Sequence, residues 1–144
     1  MTDIGDFTDD AEYATALDTA EQLLGFRLER FLTPSKGEPD NAADFKRLAT
    51  THAFGDVWSR RDTLDIRSRS LVSLTIAASL GILEPLRGQI RIALNNGVSK
   101  DEIVEAFIQI ATYAGVARAF DSYQIAAQVF AEAEVDREKE GTTR

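Results

Sequence analysis

Four arginines, Arg60, Arg61, Arg67 and Arg69, fall within ten positions of a 144-residue chain that holds sixteen lysines and arginines in all. A guanidinium is a planar fork that matches a carboxylate, so this is where a small organic anion would be drawn. The competing use of such a cluster is a solvated turn whose charges pair with Asp62 and Asp65. Proton chemistry near neutral pH points to His52, the only histidine, because imidazole alone titrates there unperturbed. His52 shares a stripe with Phe45, Leu48 and Ala49, where a hydrogen-bonded core histidine is the commoner outcome and a general acid the rarer one. Gln89 lies beside Leu86, Ile90 and Ala93 at the edge of an apolar face. A buried amide must find partners, so Gln89 either bonds a backbone carbonyl or holds a substrate carbonyl, and it cannot transfer a proton. Glu105 runs in a strip with Gln109 and Thr112, opposite Ile103, Phe107 and Ile110; it is a solvated carboxylate or, flanked by Val104 and Ile108, a site carboxylate on a face that meets another subunit. Trp58 and Tyr113 are helix-end aromatics, suited to packing or, respectively, to a substrate platform and a hydrogen bond to an enolate.

Composition removes several function classes. The chain has no cysteine, so thiolate nucleophiles, Cys-x-x-Cys redox pairs and thiolate metal sites are excluded. One histidine and scattered carboxylates make a metal site a poor expectation, and no phosphate-binding glycine loop or Ser-His-Asp arrangement is discernible. A net charge of −8 argues against nucleic acid and against an anionic membrane surface as partners. The acidic start, Met1 to Asp10, does not read as a signal peptide, and no apolar run approaches the roughly 18 residues that span a bilayer. Cytoplasm is the expected location, and one domain over residues 1–144 the expected organisation. Its core lies at about 41–132, preceded by an N-terminal helix and loop over 1–40.

These residues need elements to hold them, and the spacing predicts six helices with no strand. The first runs from about Asp9 to Leu32 on Tyr13, Leu17, Ala20, Leu24, Leu28 and Phe31. The stretch from Thr33 to Pro39, with two prolines and Gly37, is the clearest loop. A second helix runs from Asp40 or Asn41 to about Trp58. The third, Ile66 to Leu80, can be capped by Asp65 and stopped by Gly81; apolar around most of its circumference, it reads as a central helix or one shared between subunits. The fourth begins around Pro85 and ends at Gly97. The fifth opens on the capping box from Ser99 to Glu102 and runs to Gly115. The sixth covers about Arg118 to Val135, followed by a frayed charged tail. The product is a short-looped helical bundle.

Three segments, read in order, go beyond a generic bundle: Phe54-Gly55-Asp56-Val57-Trp58-Ser59-Arg60 with Leu64-Asp65-Ile66-Arg67-Ser68-Arg69-Ser70-Leu71; Ala93-Leu94-Asn95-Asn96-Gly97-Val98; and Glu102-Ile103-Val104-Glu105 continuing to Tyr113-Ala114-Gly115. Their order and spacing resemble the carboxymuconolactone decarboxylase family of the alkylhydroperoxidase-like superfamily. The resemblance implies an all-α subunit assembled into a homo-oligomer, a trimer or hexamer, with sites at or near subunit interfaces. It implies a small cyclic carboxylate or lactone as substrate, of the kind met in aromatic-ring breakdown, handled without metal or organic cofactor. Such a decarboxylation needs a cation for the carboxylate, donors for the developing enolate and an acid to return a proton. Arg69 matches the family motif and becomes the favoured substrate arginine, with Arg60 beside it; Glu105 also matches a family glutamate. The chain departs from the pattern at Gln89, where the family's fourth helix carries a histidine, so His52 becomes the candidate for a relocated acid. The same departure admits other chemistry on the same fold, namely isomerisation, cyclisation or lactone rearrangement. A non-catalytic oligomer that binds a small anion or a protein is the third alternative.

Overall fold

The computed structural model describes residues 10–142. They form six α-helices and no strand: α1 (Asp10–Leu24), α2 (Ala42–Thr50), α3 (Ile66–Leu80), α4 (Leu83–Asn95), α5 (Lys100–Tyr113) and α6 (Val116–Thr142). The chain is all-α, as the periodicity predicts. Two compact units divide it, one ending at Asp65 and the other starting at Ile66.

In the first unit α1 lays Ala16, Leu17, Ala20, Leu23 and Leu24 against the segment that follows α2. The helix expected to reach Leu32 stops at Leu24, because Gly25 takes the left-handed conformation at φ 83°. The chain resumes as one 3-10 turn, Leu28–Phe31. Arg27 gathers Asp18, Glu21 and Glu29 around that break. Lys46 pairs with Glu38 and reaches the Leu32 and Thr33 carbonyls, tying the predicted 33–39 loop to α2. The second helix is not uniform. From Thr51 to Val57 it widens into a π-helix, closed by a 2.9 Å bond from Trp58 N to the Ala53 carbonyl five residues back. Its stripe also faces the other way from expectation: Phe45, Leu48, Ala49 and His52 are exposed, and Thr50, Thr51 and Trp58 are buried instead.

In the second unit α3 packs against α4, α5 and α6. Its inner face is narrow, Ser70, Leu74, Ala77 and Ala78, and small enough for the neighbours to approach closely. Around it lie Leu86, Ile90 and Ala93 of α4, Ile103, Phe107 and Ile110 of α5, and Ala126 and Val129 of α6. Each buried hydroxyl on this axis bonds a helix carbonyl: Ser70 donates to Ile66 O at 2.7 Å and Ser122 to Ala78 O at 3.5 Å. The α3 bounds and the Ser99–Glu102 capping box stand where the sequence puts them. Two expectations change. Val72, Ile76 and Leu80 of α3 are exposed, so within one chain this helix is covered on one side only. The charged tail does not fray at Asp136; α6 continues to Thr142, aided by an Arg137–Glu134 pair and by Lys100–Glu134 at 2.6 Å from α5.

The α3–α4 turn is held by a polar lock. Gly81 stands at φ 71°, and Arg118 of α6 lies over it, donating from Nη1 to the Leu80 carbonyl at 2.7 Å. A Cβ at Gly81 would overlap that Nη1. Gly97, at φ 91°, has open space around the same position. Left-handed backbone costs a non-glycine residue roughly 1–2 kcal/mol. Gly97→Ala should therefore lose about that much, read as a Tm drop of roughly 2–8 °C for a chain of this size. Gly81→Ala should lose more, because Arg118 must also leave Leu80, and equal Tm values for the two variants would contradict the lock.

Candidate active site

The arginine cluster divides between the units, and its members have different neighbours. Arg60 and Arg61 lie in the turn after the π-helix; both are exposed, and Arg61 reaches Gln22 at 3.4 Å. Arg67 is the first-turn arginine of α3 and forms an ion pair with Glu102, the capping-box glutamate of α5. Its charge ties two helix starts together. Arg69, two residues on, is half-buried next to the fully buried Ser70; its Nε is shut off from solvent, and the side chain already interacts within the chain. A guanidinium held in place and partly desolvated attracts an anion more strongly than one in water.

Gln89 supplies the least explained polar atom of the second unit. It stands on α4 between the fully buried Leu86, Ile90 and Ala93, and its Oε1 is buried with no hydrogen-bond partner. The backbone carbonyl contact that would make Gln89 a satisfied core amide does not engage this oxygen. A buried acceptor left unmade costs roughly 1–3 kcal/mol. It can accept a hydrogen bond from a donor that a ligand brings.

The remaining candidates are scattered by location. Glu105 and its strip-mates Gln109 and Thr112 are exposed on α5, with Ile108 exposed beside them. Tyr113 is 82% exposed, so it is neither a core tyrosine nor, within one chain, enclosed in a pocket. In the first unit Trp58 is a core residue at 5% exposure, which suits packing rather than a substrate platform. His52 is exposed, and its Nδ1 lies 3.6 Å from Asp56 Oδ2 one turn on. The core-histidine reading is thereby replaced by an accessible imidazole beside a carboxylate. Among the described residues no cluster of three or more His, Asp or Glu side chains is arranged to hold a metal ion, and no helix is long and apolar enough to cross a membrane. Sequence reasoning passed over Thr51, whose Oγ1 is also buried and unpartnered; a threonine inside a helical pattern carries no signal of that.

Comparison with known proteins agrees with this arrangement. The profile of the carboxymuconolactone decarboxylase family matches residues 43–128. The chain is 32% identical over 132 residues to a 4-carboxymuconolactone decarboxylase of Acinetobacter baylyi, covering 91% of this chain and 96% of that protein. It is 39% identical over 79 residues to a nitrosuccinic acid decarboxylase of Metarhizium robertsii, covering 52% of this chain and 54% of that protein.

The Arg67–Glu102 tie has a pH signature. The Arg67 guanidinium first, then the Ser99 backbone N–H, hold the Glu102 carboxyl below the usual carboxylate range. A carboxyl depressed in the folded state contributes stability above its unfolded pKa and loses it as pH falls through the folded value. Thermal unfolding below about pH 4.5 should therefore fall more steeply for the natural protein than for Glu102→Gln, which keeps a cap but has no proton to take up. Parallel acid limbs in the two proteins would dismiss the tie.

Proposed function

Because this chain belongs to the carboxymuconolactone decarboxylase family, we propose that it is a carboxy-lyase that releases CO2 from a small acid whose carboxyl stands near a strong electron acceptor. The two relatives' names describe such acids, one with a lactone and one with a nitro group. In each, the bond from carbon to carboxylate breaks, CO2 departs, the electron pair moves into the acceptor group, and a proton returns to carbon. Arg69 seats an anionic carboxylate. Gln89 orients the acceptor end of the substrate through a donor on the ligand or on a water it orders. Proton return falls to His52 or Glu105, with Arg60, Trp58 and Tyr113 as further substrate contacts.

The observation that carries this reading is the buried, unpartnered Oε1 of Gln89 in the unit that also holds the buried Nε of Arg69. A site that leaves polar groups unmade until substrate arrives trades stability for binding. Gln89→Leu should therefore raise the Tm of the ligand-free protein by the equivalent of about 1 kcal/mol while cutting kcat/KM for CO2 release at least tenfold. Arg69→Ala should lower kcat/KM by roughly 10- to 150-fold, the equivalent of one charged hydrogen bond, and Arg69→Lys should recover little because the fork is lost. The assay is CO2 release from 4-carboxymuconolactone and from nitrosuccinic acid. Conversion without CO2 would move the reading to isomerisation, cyclisation or lactone rearrangement, which the replacement of the family histidine by Gln89 favours as the second reading. Binding without conversion would reduce the protein to a carrier.

We further propose that the working form is a homo-oligomer of three or six chains. Support comes from apolar surface that a single chain leaves in water: Val72, Ile76 and Leu80 on α3, and a groove of about 220 Å³ on α5 and α6 lined by Val104, Phe107, Ile108, Ala111, Val116, Ala119, Phe120 and Tyr123. Contiguous apolar surface of this kind marks contact sites. The natural protein should elute on light-scattering chromatography at three or six times the chain mass, and Phe120→Glu, which puts a charge in the groove, should elute smaller. A monomeric natural protein would refute the assembly.

A further inference from the structure

We propose that a cavity between α1 and the π-helical segment binds a small primary ammonium, at a site distinct from the one that takes the acid. The cavity has a volume of about 330 Å³ and is lined by Ala11, Glu12 and Thr15 of α1 and by Thr51, Gly55 and Asp56 of the π-helix. All six belong to the first unit, whereas Arg69, Gln89 and Glu105 belong to the second.

The lining selects the guest by charge and by hydrogen-bonding sense. Its two ionisable groups are carboxylates, and it contains no basic side chain. Thr15 spends its hydroxyl proton on the Ala11 carbonyl at 2.9 Å, so its oxygen faces a ligand as an acceptor. Thr51 is 8% exposed, stands on the cavity wall, and its Oγ1 has no hydrogen-bond partner. A buried hydroxyl in that state lacks a compensating bond that a bound donor would supply. An ammonium has three N–H donors and no acceptor, which matches two carboxylates and a threonine oxygen. The first turn of α1 contributes the equivalent of roughly +0.5 charge at a helix N-terminus, less than the two full negative charges beside it. The π-helix bears on this as well. Such turns are rare and recur at functional sites, and this one sets Thr51 and Gly55 on the wall that faces α1. Gly55 has no side chain to fill the space; a Cβ there would meet Ala16 Cβ at 3.5 Å and Thr51 Cγ2 at 3.7 Å, ordinary contacts. Asp56 is shared at the rim with His52, 3.6 Å away.

The test titrates the full-length natural protein with propylammonium chloride at constant ionic strength, with 1-propanol as the neutral control of equal size, following backbone amide signals by NMR. Saturable shifts centred on Glu12, Thr51 and Gly55, absent with 1-propanol, are expected. Removing both charges with Glu12→Gln and Asp56→Asn should weaken the dissociation constant at least tenfold. Thr51→Val should weaken it several-fold and raise the Tm of the ligand-free protein. The double variant alters only exposed carboxylates, so it decides the matter even if Thr51→Val does not fold. The proposal is overturned by a linear, non-saturating response, by equal shifts with 1-propanol, or by unchanged affinity in the double variant. CO2 release is not the readout, so the outcome is independent of the decarboxylase reading.

Discussion

Helix α3 must lie close to three other helices at once while its two ends point polar groups into the space between them. The close approach is set by small side chains: Ser70, Ala77 and Ala78 leave room that a row of leucines would not. The ends are then the expensive part, since buried helix termini carry unpaired N–H and C=O groups. Each end is served by an arginine and a partner helix. At the start, Arg67 joins Glu102, which also completes the α5 cap. At the finish, Arg118 from α6 satisfies the Leu80 carbonyl across a glycine that only φ > 0 and the absence of a Cβ make possible. The second unit depends on this pair of contacts, and so do Arg69 and Gln89, because one rides on α3 and the other on the helix that the Gly81 turn directs.

Charge in this acidic chain is distributed by the same logic. Arg27, Lys46, Arg67, Arg87, Arg91 and Lys100 each stand against carboxylates, most of them bridging two elements. These pairs are largely exposed, where each contributes little to stability. Their effect is to spend most of the basic side chains on architecture. Arg69 differs by position: it sits among buried residues, where the local dielectric is lower and a fixed positive charge acts over a longer distance. An acidic protein can therefore still receive an anion, provided that the attraction is local and desolvated and does not come from the overall field.

What the sequence made legible follows from how each feature is encoded. Gly81, Gly97 and Gly115 all take positive φ where helices end, and Ser99 with Glu102 forms the reciprocal cap, so α3 to α5 were readable almost to the residue. Gly25 does the same for α1, but the apolar spacing continues past it through Leu28 and Phe31 and hides the break. The α2 stripe shows a different limit. Periodicity finds an apolar face but does not say what covers it, and Phe45 and Leu48 are exposed while the small polar Thr50 and Thr51 turn inward. The π-helix has no periodic signature, because one added residue per turn shifts the stripe by less than a side chain's width over so short a segment. Among the site candidates, the types were right for their chemistry, whereas burial separated them: Arg69 and Gln89 toward the inside, Glu105, Tyr113 and His52 toward water.

The substitution at Gln89 constrains the proposed reaction more than any other residue. A histidine there could hold the substrate and return the proton with one side chain; a glutamine can do only the first. The remaining proton donors, His52 and Glu105, are both exposed in the single chain. An acid in open water gives its proton no preferred direction and lets solvent compete, so either residue becomes useful only when something closes over it. The apolar surfaces that flank both, Phe45 and Leu48 beside His52 and Ile108 beside Glu105, are the kind of surface that another copy would cover. Binding and proton return would then be supplied at different levels of organisation, the first by the folded chain and the second by its assembly. On that reasoning a change in the groove far from Gln89 alters the rate of proton return before it alters the affinity for the acid.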